Sequence, residues 1–448
     1  MTGYARGSAG APTARDVAAR LVAETLESGR PLSGRQEVAL AVLDERDAAL
    51  ARQLVFGSLR WLRRIDHVLA TVSSRPLAHV DPAIAAILRV AAFQLLYLDR
   101  VPPHAAVDEA VRAAKSKVRR AAGFVNAVLR RIAAAPRLDD WPLDLTDPTE
   151  RLAVELSYPT FLVRRWLESF GAERARAMLE AGNRPKPQHL LAFTELGGRA
   201  ALRDELERDG IDCVVSQISS LGLIVRRGNA LRSRAFVEGR CYIQDEVSQA
   251  AALIPPPVAD ERVCDVACGP GGKSLALIAA EPRVRIVAAD RSLPALGRLR
   301  ANLRRMGRRL PTVASDLRRP AIDGCFARVV LDLPCSGTGT FRNHPELKWR
   351  LSESSIAASG ERAVELMRAA VPLVEKGGVL VTITCSVEPE ENELAVERLV
   401  ASEPRLKRVE PSSDGLAGAT LPSSSPLLWC VPPEDDHDGF TVNVIARR

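Results

Sequence analysis

The sequence predicts a multidomain chain: an all-α N-terminal domain, a small α+β middle unit and a C-terminal α/β domain built on an open parallel sheet. Three observations predict it. From Thr13 to about Ala135 apolar residues recur at helical spacing and strand signals are absent. After a Pro- and Asp-rich linker at 139–149, short β-branched runs alternate with helical ones. Beyond residue 236, a strand, glycine turn and helix start at 263–274 leads into further strands that each end in an acid or a cysteine. The expected domains are 13–138, 145–235 and 236–448, and a length of 448 residues accommodates two or three of them.

In the first domain, Ile84, Leu88, Ala91, Leu95 and Leu98 share one helix face, as do Val125, Val128, Leu129 and Ile132. Pro102-Pro103 separates two helices. Residues 1–12, rich in Gly, Ala and Ser, are expected to be disordered. Between Arg112 and Arg131 every charged residue is Lys or Arg, which reads as a solvated helix face or as a phosphate-contacting one. The middle unit reads as a helical segment over 150–182, a strand over 189–194, a helix over 199–208 and strands over 213–217 and 223–227. Asn183-Arg184-Pro185 opens its strand-bearing part as a turn, with RNA contact the alternative. Arg226, Arg227, Arg232 and Arg234 add positive charge near its end.

In the C-terminal domain, Gly377-Gly378 reads as the break after a helix and Val379 to Ile383 as a short buried strand. Thr384-Cys385-Ser386 sits where that strand ends. Ligands gather at the carboxyl ends of parallel strands, so Cys385 is offered to a cleft unless it is a buried structural thiol. A second thiol emerges with a carboxylate in Asp332-Leu333-Pro334-Cys335, after a strand at 329–331. With the two strand ends side by side, both thiols surround one pocket; a disulfide is disfavoured in reducing surroundings. Upstream, Ala267-Cys268-Gly269-Pro270-Gly271-Gly272-Lys273 forms a glycine turn at a helix start, where the backbone approaches a ligand closely. Its spacing is not that of a nucleoside triphosphate loop. Asp290 ends the next strand, placed to accept hydrogen bonds from ribose hydroxyls, and Asp316 follows a short strand around Val313. Acids in step with successive strands suit a nucleoside without phosphates, and S-adenosylmethionine (SAM) is the obvious one.

A net charge of +7 points towards a polyanion such as RNA. The eight cysteines show no disulfide framework, and Cys264 with Cys268 lacks a nearby histidine, so no metal is expected. Reduced thiols fit a cytoplasmic location. No signal-peptide core and no apolar run of about 18 residues is present, so no membrane segment is expected. The chain is expected to act as a monomer. Arg298, Arg300, Arg304, Arg305, Arg308 and Arg309 lie on a helix and read as an RNA-facing or simply exposed face. The stretch Arg342, Asn343, His344, Pro345, Lys348, Trp349 and Arg350 follows the Cys335 loop and is the better candidate for RNA contact. His344 is read as a binding or structural residue rather than a general base. Asp438-Gly439-Phe440 leads into a last strand over 441–446, expected to close the sheet.

These motifs carry a family resemblance. Leu54-Val55-Phe56-Gly57-Ser58-Leu59-Arg60, Gln94-Leu95-Leu96-Tyr97-Leu98, Pro102 to Ala110 and Gly123 to Arg130 resemble the RNA-binding helical domain of the antitermination factor NusB, in the version fused to a ribosomal RNA methyltransferase. The middle unit resembles the small RNA-recognition-like insert of the same enzymes, and Tyr242 to Gln249 the segment leading into their catalytic domain. Asp-x-Pro-Cys, Thr-Cys-Ser and the glycine loop together resemble the Sun-type RNA 5-methylcytosine methyltransferases, over nearly the whole chain. The resemblance implies a Rossmann-like SAM methyltransferase domain and an RNA partner, 16S ribosomal RNA or a small-subunit assembly intermediate. It implies that Cys385 is the nucleophile, that Cys335 helps release product and that Asp332 grips the base beside SAM. It further implies that Ala267, Cys268, Gly269, Pro270, Gly271, Gly272 and Lys273, with Asp290, Asp316 and Asp332, hold SAM. Two positions depart from the family pattern: Cys-Ala-Ala-Pro-Gly-Gly-Lys reads Ala-Cys-Gly-Pro-Gly-Gly-Lys, and Asp-Ala-Pro-Cys reads Asp-Leu-Pro-Cys. Neither removes a reacting group.

The chemistry explains the residue types. Carbon 5 of cytosine is a poor nucleophile until a thiolate adds to carbon 6. A thiolate both attacks and leaves well, but a free cysteine has a pKa near 8.5 and is only a few per cent ionised at neutral pH. A positive charge or a helix end near Cys385 would lower it, and Lys273 is one candidate, with a structural helix-start charge as its other reading. The alternatives are cytosine-5 methylation of a different RNA or of DNA, and a non-enzymatic RNA-binding antitermination-type factor.

Overall fold

The computed structural model describes residues 12–29, 32, 34–411 and 427–448. The disorder expected for residues 1–12 thus falls, but for Pro12, outside the described residues. Two compact units form, one of residues up to Asn183 with Phe341–Arg350, the other of Arg184–Thr340 with Leu351–Arg448.

The first unit is helical, as its periodicity requires. Its central helix, Pro82–Tyr97, is apolar nearly all round and buries Ile84, Leu88, Ala91 and Phe93 among others. Asp81 starts it by accepting from the amides of Ala83 and Ile84, with Pro82 at the first turn. Gly57, in the helix Glu45–Arg60, lies so close to this core that a Cβ would sit 2.0 Å from the Phe93 ring. The helices Ala14–Ser28, Leu62–Val72, Pro103–Lys117 and Ala122–Ala134 pack around it.

The single helical segment expected over 150–182 is two helices, Pro148–Glu155 and Thr160–Ala181, the second kinked at Gly171 (φ 75°). Pro159 makes the break: it disfavours the helical conformation at Tyr158, and Ser157 turns with φ 59°. The interruption creates a socket for Phe341–Arg350. Phe341 packs against Tyr158 and Trp166, with ring centroids 5.7 and 6.1 Å apart. Lys348 is 0% exposed. Its Nζ donates to Asn183 Oδ1 at 2.7 Å and to the carbonyls of Arg60 and Ser157 at 3.3 Å, and lies 3.6 Å from the Tyr158 ring centre. Trp349 Nε1 donates to the Leu59 carbonyl at 2.6 Å.

The RNA-contact expectation for this stretch is corrected for Arg342, Pro345, Lys348 and Trp349, which serve the unit's interior; Asn343, His344 and Arg350 are its exposed members. A lysine can be buried here because protein oxygens replace its water. Burial still pushes its pKa well down, with Arg60 adding to the effect. Asn183 is a buried strut rather than an RNA contact, its Nδ2 donating to the Leu156 carbonyl at 2.6 Å. Lys348→Ala is expected to destabilise this unit by about 2–4 kcal/mol, since it strands buried oxygens and opens a cavity. A thermal melt that matches wild type would contradict this.

The second unit contains two sheets. The smaller comprises β1 (His189–Ala192), β2 (Asp212–Val215), β3 (Gly222–Arg227) and β4 (Cys241–Ile243) in the order β2-β3-β1-β4, all antiparallel. Its helix is Gly198–Arg208. The larger contains β5 (Arg262–Asp265), β6 (Arg285–Asp290), β7 (Thr312–Ala314), β8 (Phe326–Asp332), β9 (Val374–Thr384), β10 (Leu406–Val409), β11 (Trp429–Val431) and β12 (Phe440–Arg447). Their order is β10-β12-β9-β8-β5-β6-β7, with β11 also paired to β12. The strands β9, β8, β5, β6 and β7 run parallel. Leu191, Phe193 and Leu221 of the smaller sheet share one apolar cluster with Leu275, Leu296 and Leu299, so the middle unit is joined to the larger sheet through packing.

Two expectations about this sheet are corrected. Gly377-Gly378 does not break a helix: it lies inside β9, where the pairing with β8 shifts register between Phe326 and Arg328. Gly377 has φ +84°, and a Cβ on Gly378 would sit 2.8 Å from the Ala327 carbonyl oxygen. The pair makes a bulge that needs glycine. The last strand, β12, does not close the sheet; it pairs antiparallel with β9, and β10 lies outside it. Strands β10 and β11 have too few residues to signal themselves in sequence.

Candidate active site

Parallel pairing sends five strand ends to one edge. In spatial order they deliver Cys385, Asp332 with Cys335, Asp265, Asp290 and Asp316. A cavity of about 280 Å³ opens there, lined among others by Ala267, Gly269, Asp290, Asp316, Asp332 and Leu331.

Asp290 holds the glycine loop in place: Oδ2 accepts from the Gly269 amide at 2.9 Å and Oδ1 from the Ser292 amide at 2.7 Å. A Cβ on Gly269 would lie 2.3 Å from that of Ala295 and 2.9 Å from Asp290 Oδ2, so only glycine lets the loop pass. Of the residues expected to hold SAM, Ala267, Gly269, Asp290, Asp316 and Asp332 wall the cavity. Cys268 is buried behind it, and burial pushes its thiol pKa far up. Pro270, Gly271 and Gly272 shape the turn, Gly271 with φ +111° opening the helix Gly272–Ala280. The donor set fits SAM: carboxylates at strand ends for hydroxyls and an ammonium, exposed backbone at a glycine turn, and apolar Leu331 and Leu333 for a purine face. Arg291, Arg318 and Arg362 also line the cavity, and no motif flagged them.

Lys273, considered as the charge beside Cys385, is committed to Asp332. Its Nζ lies 3.2 Å from Asp332 Oδ2, 2.9 Å from Ser248 Oγ and 4.8 Å from the Phe440 ring centre. Its side chain is 8% exposed, so the pair orients the Asp332 carboxylate rather than merely decorating a surface.

The two thiols meet. Cys335 Sγ and Cys385 Sγ are 3.5 Å apart, both partly exposed and neither in a disulfide. The Leu333 amide donates to the Ile383 carbonyl at 2.8 Å and the Gly339 amide to the Cys385 carbonyl at 3.0 Å, lacing the Cys335 loop to the end of β9. Gly339 has to be glycine, since a Cβ would lie 2.2 Å from the Gly439 carbonyl oxygen. The Cys335 thiol is pushed well up, first by its hydrogen bond with Cys385, then by burial.

Asp265 ends β5. It is 0% exposed, and burial raises its carboxyl to about 7 against the pull of the Ser274 hydroxyl at 2.6 Å. A carboxyl whose pKa is higher folded than unfolded binds protons more tightly in the native state, so its contribution to stability falls as pH rises. The stability of wild type relative to Asp265→Asn is expected to fall between about pH 4 and pH 7 and to be flat above, as read by denaturant titration across pH. A pH-independent difference would contradict this.

The arginine face on the helix Leu293–Arg305 and just beyond is corrected in part. Arg305 stacks on Phe236 at 4.1 Å, and Arg308 stacks on Phe193 at 4.2 Å while pairing with Glu195. Both pin the smaller sheet. Arg298, Arg300, Arg304 and Arg309 are exposed. In the middle unit, Arg226 pairs with Asp436 and Arg234 with Glu238. Within 112–131, Arg112 pairs with Glu109 and Arg131 donates to the Val72 carbonyl, whereas Lys115, Lys117, Arg119, Arg120 and Arg130 stand exposed. Among the described residues no cluster of His, Cys, Asp and Glu could hold a metal ion, and no helix is long and apolar enough to cross a membrane.

Comparison with known proteins accords with this geometry. Residues 252–446 match the family described as 16S rRNA methyltransferase RsmB/F, residues 12–134 the NusB family, and residues 158–232 the ferredoxin-like domain of RsmF/B-like methyltransferases. A ribosomal RNA small subunit methyltransferase B of Pseudomonas putida is 34% identical, with 95% of this chain and 96% of that protein covered. One of Sodalis glossinidius is 31% identical, over 95% and 96%. Among solved structures, PH0851 matches with TM-score 0.79 at 25% identity, over 96% of this chain and 98% of that one. NSun6 from Pyrococcus horikoshii shares the fold, with TM-score 0.57 at 19% identity over 64% and 98%. With a glycine loop, an acid-lined cavity and paired thiols at one sheet edge, the chain belongs to the RsmB/F family of SAM-dependent 16S rRNA methyltransferases.

Proposed function

We propose that this protein methylates carbon 5 of a cytosine in 16S ribosomal RNA through a covalent bond between Cys385 and carbon 6 of the base. One observation carries the reading: the 3.5 Å separation of Cys335 and Cys385, on adjacent strand ends beside Asp332. A single thiol at a strand end suits many chemistries. Two thiols 3.5 Å apart at adjacent strand ends, next to a carboxylate, suit an addition that must later be undone.

SAM, when bound in the cavity, supplies the electrophilic methyl group. Cys385, ionised, adds to carbon 6 and raises the electron density at carbon 5. As the thiolate adds, ring nitrogen 3 takes up a proton from solvent, which neutralises the charge building in the ring; Asp332 accepts hydrogen bonds from that N–H and from the exocyclic amine and so holds the protonated ring. Lys273 keeps that carboxylate turned towards the base. After transfer, carbon 5 carries one proton too many. Cys335 takes it, directly or through a water, as the carbon 6–sulfur bond breaks and Cys385 leaves. The largest cause of the raised Cys335 pKa is the hydrogen bond with Cys385. A thioether accepts hydrogen bonds poorly, so alkylation of Cys385 removes that cause; Cys335 then gives its own proton to solvent, and the thiolate so formed accepts the carbon 5 proton.

The exposed cations Lys115, Lys117, Arg119, Arg120 and Arg130 supply phosphate contacts. The target base has to be unstacked, at a cost of roughly a few kcal/mol, less in a loop. The test is incorporation of label from tritiated SAM into unmodified 16S rRNA, with the labelled base identified by nucleoside chromatography. Label in 5-methylcytidine is expected. Label in any other nucleoside, or only in transfer RNA or DNA, would refute the reading.

A further inference from the structure

The stretch after Cys385 carries a carboxylate, Glu391, that the chemistry above leaves unused. It is 1% exposed. Both of its oxygens face the loop of the other cysteine: Oε1 accepts from the Ser336 amide at 2.7 Å and Oε2 from the Ser336 hydroxyl at 2.6 Å. The Ser336 and Thr338 hydroxyls each lie 3.2 Å from Ser386 Oγ. Ser336 follows Cys335 and Ser386 follows Cys385. The residues next to the two thiols are thus tied side chain to side chain, around one carboxylate, in a buried network.

Glu391 is itself held firmly. It ends the short turn Pro389–Glu391, against the helix Glu353–Ala370, where a Cβ on Gly360 would lie 2.4 Å from the Glu390 carbonyl oxygen. Burial pushes its carboxyl pKa up, while donors from Ser336 and Ser386 pull it back. Charge-assisted hydrogen bonds of this kind fix geometry more tightly than neutral ones.

The two ends of the tie are unequal. Ser386 has other anchors: its carbonyl accepts from Thr441 Oγ1 at 2.7 Å and Asn392 Nδ2 at 3.1 Å, and its hydroxyl accepts from the Glu388 amide at 3.1 Å. Ser336 depends on Glu391 for the acceptors of both its amide and its hydroxyl.

We propose that Glu391 is the positioning residue that sets the Cys335–Cys385 spacing, and that its loss separates formation of the covalent RNA adduct from its release. The second half rests on the function proposed above. Without Glu391 the Cys385 end keeps its anchors and still adds to the base. The Cys335 loop keeps its backbone bonds at Leu333 and Gly339 but loses the tie at Ser336, the residue next to the thiol, and resolution of the adduct fails.

Two measurements on full-length Glu391→Gln and Glu391→Ala test this, with Cys335→Ala as benchmark. The first is the rate at which diamide links Cys335 to Cys385, read by peptide mass spectrometry. Both S–H bonds break, the S–S bond forms, and diamide takes up the two hydrogens and is reduced to its hydrazine. The rate is expected to fall at least about tenfold in Glu391→Ala, which loses both hydrogen bonds to Ser336, and less in the isosteric Glu391→Gln. The second is RNA adduct on a denaturing gel. Glu391→Ala is expected to accumulate it with both cysteines present, and Glu391→Ala/Cys335→Ala no more than Cys335→Ala alone. A purely structural role would lower adduct and turnover together.

A wild-type linking rate in both Glu391 variants overturns the spacing role. Normal linking loss without adduct, while Cys335→Ala shows adduct, overturns the link to release. If Cys335→Ala itself shows none, the release chemistry is wrong and the uncoupling falls with it. The linking rate then decides the spacing role by itself. Glu391→Gln, equal in volume and retaining one acceptor, keeps the test open should Glu391→Ala misfold.

Discussion

Cys385→Ala is expected to reduce methyl transfer to 16S rRNA by roughly 10³-fold or more while leaving SAM affinity unchanged. The size follows from what the thiolate does. Without addition at carbon 6, carbon 5 has no means of attacking a methyl group, and the remaining contacts supply only binding. The selectivity follows from the layout. The cavity that fits SAM is walled by Asp290, Asp316, Asp332 and the glycine loop, and Cys385 is not part of that wall. Calorimetry of SAM binding alongside label incorporation separates the two. Turnover within a few fold of wild type would remove Cys385 from the chemistry and return it to the role of a strand-end core thiol.

Cys335→Ala is expected to have the opposite signature: addition proceeds, release stalls, and protein and RNA run together on a denaturing gel. The thiol lies 3.5 Å from Cys385, close enough to reach the same face of a base held there. Its removal takes away the group that accepts the carbon 5 proton but none that forms the adduct. Multiple turnover is expected to fall at least about 100-fold, in the range found for loss of a general base or acid. Adduct yield should approach one per enzyme, require SAM, and vanish in Cys335→Ala/Cys385→Ala. Undiminished turnover without adduct would leave Cys335 outside the release step.

Much of this was legible in the sequence because its signals are local. Helical periodicity over 13–135 needs only neighbours three and four residues apart, and the structure there is helical throughout the described residues. The loop around Gly269, the acids at 290, 316 and 332, and the thiols at 335 and 385 each announce themselves by residue type beside a short apolar run. The misreadings arose where a local signal has two physical outcomes. Gly377-Gly378 serves equally as a helix break or a strand bulge, and the partner strand's carbonyls chose the bulge. Arg305, Arg308 and Lys348 look alike on paper to solvent-facing cations. Aromatic rings and carbonyl oxygens from remote segments make them struts instead.

Which chemical groups exist, and which strand end each one leaves from, can be read from short stretches, because alternation, glycine placement and strand length are local properties. Who stands next to whom is settled by the fold. Parallel pairing of β8 with β9 brings 335 to 385; the commitment of Lys273 to Asp332 and the tie of Glu391 to Ser336 likewise join residues some 55 to 60 positions apart. The physical reason is that hydrogen bonds and ion pairs act over about 3 Å, a distance no sequence interval encodes until the sheet has closed.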